Sequence, residues 1–189
     1  MSRNRFFAYL ALLATVVIWG AAGPVIKFTL AGISALNFLT YRFALSTILA
    51  LASAPFGGLR LPKGKKTLGL TVLYGFLTST VALGLLFLGL ERTTALDLTF
   101  LAMVGPLLIV AAGELFFHER VTKLEKLGIG IALVGTVLTA LEPILRDGTA
   151  LSQLTGNFLI ALSLVAATAS AVLVKDLMKM GVSALSLTN

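Results

Sequence analysis

Between Phe6 and Leu30 the chain runs through apolar and small residues with one charged side chain, Lys27. At 1.5 Å of rise per residue, a helix of that length crosses the roughly 30 Å of a bilayer's hydrocarbon core. Five further apolar segments follow, so that six spans are predicted at Phe6–Thr29, Ala35–Ala54, Thr67–Leu90, Ala95–Phe117, Leu124–Leu141 and Gly156–Val174. Composition agrees. Charged residues make up 12% of the 189 and the mean hydropathy is +1.00, where a soluble domain carries about 25% charge. The expected class is an all-α, polytopic integral membrane protein, with the lipid bilayer as its first partner. The basic start, Arg3 and Arg5, resembles a signal peptide, but the apolar run behind it is too long and the Gly23-Pro24 pair is no small-x-small cleavage site. The first span is therefore expected to be retained.

The net charge of +7 does not point to nucleic acid, because the basic residues cluster in short loops between spans. With the N-terminus in the cytoplasm, Arg3, Arg5, Arg60, Lys63, Lys65, Lys66, Arg120, Lys123, Lys126, Lys175 and Lys179 fall inside. Only Lys27, Arg92 and Arg146 fall outside. This positive-inside bias predicts a multi-pass protein of the cell (inner) membrane with a cytoplasmic N-terminus. There is no cysteine and one histidine, His118, and no nucleophile–base pair or phosphate-binding glycine loop. No metal, no cofactor, no catalytic residue and no enzyme are expected.

Small residues are spaced for close helix packing. Gly20 to Gly23 sit in the first span and Gly75, Ser79 and Ala82 in the third. Gly128, Ala132, Gly135 and Thr139 lie along one face of the fifth, and Ser163, Ala166, Ala167 and Ser170 along the sixth.

The first span has an echo. Val25-Ile26-Lys27 aligns with Leu173-Val174-Lys175, and with one residue of slack Gly32-Ile33-Ser34-Ala35-Leu36 aligns with Gly181-Val182-Ser183-Ala184-Leu185. A repeat of five spans is odd, so its second copy must thread the membrane in the opposite sense, the plan of inverted-repeat carriers. The expected domains are a first five-helix repeat over 1–143 and the start of a second over 150–189. The chain ends where the second copy of span two would begin, so a fragment is expected, completed by a missing second half or by a homo-oligomer partner.

Trp19-Gly20 with Lys27, Arg42-Phe43, Pro106, Glu119-Arg120, and Gly128 with Gly135 occur in an order and spacing that resembles the EamA-type transporters of the drug/metabolite transporter superfamily. The resemblance covers nearly the whole chain. It implies a ten-helix fold of two inverted five-helix repeats and transport of small metabolites such as amino acids by alternating access. The second copy departs from it in carrying Ala167-Thr168 where the Trp-Gly pair would stand.

Charges inside spans are costly and therefore candidates for function. Arg42 lies about 10 Å into the second span by the helical rise. It suits a substrate carboxylate or phosphate, a gate ion pair with Asp97 or Glu91, or an outward-reaching structural contact. Asp97 and Glu114 on the fourth span, with Glu119 beyond it, are candidate gate or coupling groups. Asp97 also suits the positive start of its helix. Trp19, Arg42, Thr78 and Met103 form the expected substrate-binding set. Two other readings stay open: a multidrug cation exporter, although the first span lacks the carboxylate such proteins use, and a membrane assembly subunit that transports nothing.

Overall fold

The computed structural model describes residues 3–53, 64–145, 150–182 and 187, with side chains over 6–52, 64–138, 151–182 and 187. Among the described residues six long helical runs appear: α1 (Arg3–Leu30), α2 (Ala35–Ser53), α3 (Lys65–Arg92), α4 (Ala95–Phe117), α5 (Lys123–Leu145) and α6 (Ala150–Lys179). Among the described residues there is no strand. Five of the six, all but α5, are long and apolar enough over their described residues to cross a bilayer. The α5 helix has 23 residues and covers the fifth predicted span. The protein is multi-pass and all-α, as the hydropathy pattern requires.

Two spans are not regular. Pro106 has no N–H to give the Ala102 carbonyl, and α4 breaks into Ala95–Ala102 and Gly105–Phe117. Met103 and Val104 turn at the break, their N–H groups donating back to Phe100 and Leu101 at 3.3 and 3.1 Å. In α3 the stretch Phe76–Ala82 is a π-helix, in which the Leu83 N–H reaches back to the Thr78 carbonyl. The ends of two helices are chemically set. Thr94 caps α4 by accepting the Asp97 N–H at 3.1 Å. Thr122 and Glu125 cap α5 reciprocally, at 2.6 and 3.3 Å, the capping-box arrangement.

Packing centres on α6, which lies against α3, both pieces of α4, and α5. Its buried positions Asn157, Ile160, Ser163, Ala166, Ser170 and Leu177 recur at helical spacing, so one stripe meets all these neighbours. Ser163 and Ser170 satisfy their hydroxyls on their own helix at 2.7 Å. A second cluster, Leu30, Ala35, Leu39, Phe87 and Leu90, closes the α1–α2 turn against the last turns of α3. There Phe38 stacks on Phe87, ring centres 5.2 Å apart.

Two expectations need correction. The sixth helix begins at Ala150, not at Gly156: no proline interrupts Leu151–Thr155, and Gln153 and Asn157 anchor the added turns to the rest of the chain. The seam expected on α5 is not a close contact at its two described glycines. A Cβ placed on Gly128 or Gly135 would meet no atom within 4 Å, and Thr139 lies outside the described side chains. Close approach occurs instead between α3 and α6, where Gly89 and Gly156 touch.

Candidate functional site

Polar side chains gather at the two ends of the bundle. At the Glu91 end, the α1 helix delivers Lys27 to the C-terminus of α3. Its ammonium donates to the Leu90 and Glu91 carbonyls at 2.7 and 3.2 Å, groups left without helical partners and carrying the negative end of the helix dipole. The Glu91 carboxylate accepts the Ala35 N–H at 3.3 Å, which does the same service for the positive start of α2. Three helices are thus tied by the charged ends of two side chains.

Beside this lies a buried polar cluster. Thr93, Asp97 and Asn157 are 3%, 4% and 0% exposed. Asp97 Oδ2 accepts from Thr93 Oγ1 at 2.8 Å and from Gln153 Nε2 at 2.7 Å. Thr93 Oγ1 also meets Asn157 Oδ1. The cluster joins the α3–α4 turn to the first turns of α6. It can form because Gly89 and Gly156 let the two backbones touch: a Cβ on either would lie 2.8 Å from the other's carbonyl oxygen.

At the opposite, Glu119 end, His118 takes the left-handed conformation at φ 53° and ends α4. The chain folds back so that Glu119 pairs with Lys175 of α6. Gly113 makes room, since a Cβ there would meet the Glu119 carboxylate at 2.5 Å. Lys175 and Lys179 both sit over the Phe117 ring, at 4.4 and 4.3 Å from its centre. Glu119, Lys175, Phe117, Gly113 and Thr168 line a small cleft of about 60 Å³, open to solvent, between α4 and α6.

The sequence candidates separate accordingly. Asp97 and Glu119 each bridge to α6, at opposite ends. Glu114 is paired with Lys126 of α5 and is partly exposed, so it faces a neighbouring helix end and not the cleft. Arg42 forms no pair with Asp97 or Glu91, whose carboxylates are engaged as described. Its guanidinium lies 5.6 Å over the Phe87 ring. Trp19 and Met103 are 72% and 63% exposed and are not brought together with Arg42.

Thr78 is different. Nine threonines donate to the carbonyl four residues back on their own helix, Thr71 to Thr67 at 2.9 Å and Thr168 to Leu164 at 2.8 Å among them. Thr78 sits in the π-helical stretch, and its Oγ1 is buried without a hydrogen-bond partner. Pattern reading missed Thr93, Gln153 and Asn157 as a group. The available signal was two amides, Gln153 and Asn157, at the start of an otherwise apolar helix.

Helices α1 and α6 run in opposite senses. Lys27, near the C-terminus of α1, reaches the Glu91 end, whereas the N-terminal turns of α6 lie at that end and Lys175 at the other. No curated protein and no solved structure matches the chain. The profile of the EamA-like transporter family matches residues 6–141. With well over half its length matched, and with membrane-crossing helices in that region, the chain belongs to the EamA-like transporter family, a family of membrane transporters.

Proposed function

We propose that this chain works in secondary transport of small metabolites such as amino acids, by alternating access, in the cell membrane with its N-terminus in the cytoplasm. In this reading residues 1–143 are a first repeat and α6 opens a second, inverted one. The observation that carries it is the pair of polar clasps between α6 and the preceding helices. Asp97 with Gln153 closes one end and Glu119 with Lys175 the other. A rocking carrier needs contacts that break alternately at its two ends while a site between them stays fixed. Lys27 and Lys175, the aligned residues of the expected repeat, reach opposite ends of the bundle, as an inverted copy requires.

The substrate is taken between these clasps, with Thr78 as its hydroxyl contact and Arg42 as its cationic contact. A buried hydroxyl without a partner costs about 1–3 kcal/mol, and π-helical turns are frequent at functional sites. A polar substrate group would satisfy it.

The test is uptake of a labelled amino-acid panel into vesicles carrying the purified chain. Uptake above empty vesicles is expected for at least one compound. Thr78→Val should weaken it about tenfold, one hydrogen bond's worth. Arg42→Ala should remove anionic and zwitterionic compounds selectively. No uptake from the whole panel overturns the transport reading, and uptake unchanged by both substitutions removes these residues from the site.

A further inference from the structure

We propose that the Thr93–Asp97–Gln153–Asn157 cluster is the coupling-ion site of this protein and that the ion is a proton. The coupling role rests on the transport reading. The proton site itself does not.

The argument begins with counting hydrogens. Thr93 Oγ1 has one proton and faces two oxygens, Asp97 Oδ2 and Asn157 Oδ1. It cannot donate to both. Two arrangements resolve this, and they differ by one proton. With Asp97 ionised, the Asn157 amide presents Nδ2, which donates to Thr93 Oγ1, and Thr93 donates to Asp97 Oδ2. With Asp97 protonated, its Oδ2–H donates to Thr93 Oγ1, Thr93 donates to Asn157 Oδ1, and the amide has turned over. One O–H bond forms, the carboxylate's negative charge is neutralised, and every donor along the chain reverses direction. In both states Asp97 Oδ2 keeps a lone pair for Gln153 Nε2. The same four side chains therefore accept or release a proton while the contacts among Asp97, Thr93, Asn157 and Gln153 are kept in both states.

Location makes the exchange consequential. Asp97 is buried in a membrane span, where neutral and ionised forms differ strongly in cost. Among the described residues no cation pairs with it. The charged groups at this end of the elements packed on α4 are Lys27 on α1 and Glu91 and Arg92 on α3, and each has another engagement. Lys27 is on the Leu90 and Glu91 carbonyls, Glu91 on the Ala35 N–H, and Arg92 on the Leu88 carbonyl at 3.4 Å. Glu142 of α5, and Arg146 and Asp147 after it in the sequence, lie outside the described side chains. A sodium ion fits less well, because the Gln153 N–H and Thr93 O–H point at the carboxylate, whereas hard cations take oxygen ligands only. Because the cluster spans the α3–α4 turn and α6, its ionised form holds α6 with charge-assisted bonds, about twice as strong as the neutral ones that follow protonation.

The experiment needs no substrate. The whole chain in lipid vesicles is treated with dicyclohexylcarbodiimide, which modifies protonated carboxyl groups in apolar surroundings, and modified residues are mapped by mass spectrometry across pH. Asp97 is expected to react at low pH and to become resistant as pH rises. Gln153→Leu removes a donor to the ionised form and should move the midpoint up by about one pH unit. Asp97 reacting equally at every pH, or at none, overturns the proposal. So does protection by sodium at constant pH. In the uptake assay, an imposed pH gradient should change the wild-type rate and leave Asp97→Asn indifferent. A gradient response surviving in Asp97→Asn overturns the coupling role. Absence of all uptake sinks the transport reading alone, since the labelling still reports on Asp97.

Discussion

Gly89 of α3 and Gly156 of α6 cross backbone against backbone, each placed so that a Cβ would meet the other's carbonyl oxygen at 2.8 Å. This contact is the pivot on which the Asp97 cluster is built. The Thr93 backbone N and side chain lie about as close to Gly156, at 3.0 Å from a Cβ there. Backbone cannot move aside as a flexible side chain can. Gly89→Ala and Gly156→Ala should each destabilise the fold by about 1–3 kcal/mol through overpacking. Gly128→Ala serves as the contrast: its Cβ enters open space, and alanine is favoured over glycine in a helix by about 1 kcal/mol. Thermal unfolding in detergent checks this. Equal effects at positions 89 and 128 would refute the close crossing.

The Lys27 ammonium gives a second prediction. It makes two charge-assisted bonds to the carbonyls ending α3, and bonds to charged groups contribute about 1.5–3 kcal/mol each way of removal. Lys27→Met keeps the apolar stem and loses the donor, so it should lower stability by that order. Lys27→Arg, still a donor but bulkier and planar, should recover part of it. Denaturant titration followed by tryptophan fluorescence reads the change through Trp19, the chain's single tryptophan.

How far the residues announce this arrangement differs between its parts. The six apolar runs and the proline at 106 were legible because span length and the missing proline N–H act locally. The α3–α6 crossing was not. Gly128 and Gly135 have the periodicity of a seam, and Gly89 and Gly156 have no such pattern. Which small residue meets which depends on the angle at which two distant helices cross. The π-helical stretch at Phe76–Ala82 was equally hidden, since no proline or glycine pair marks it. Asp97 and Glu119 stood out as charges near apolar sequence. Their partners, Gln153 and Lys175, are 56 residues away in both cases, a separation that no local rule reaches.

The Glu119–Lys175 pair yields a third prediction. Both side chains are about half exposed, so the pair is worth at most about 1 kcal/mol and its loss should hardly alter the melting temperature. Its effect should be on access. The chain has no cysteine, which makes Thr168→Cys, in the wall of the cleft, a single reporter. Glu119→Lys or Lys175→Glu alone should raise its alkylation rate several-fold. The exchanged double variant should return it toward the starting value. Identical rates in all four proteins would mean the pair does not close the cleft.

The sidedness of the two ends can be measured directly. Helices α1, α3 and α6 place Gly32 and Arg92 at the Glu91 end and Arg120 and Lys179 at the Glu119 end. Basic residues concentrate at the second of these, which the positive-inside tendency assigns to the cytoplasm. Single cysteines at Gly32 and Arg120 should therefore react with a membrane-impermeant maleimide from opposite sides: Gly32→Cys in intact cells, Arg120→Cys only after the membrane is opened. The outcome bears on more than orientation. Position 120 follows the fourth span and position 32 the first. Labelling on the same side would require an odd number of crossings less or more between them, and a five-span first repeat could not then invert its successor.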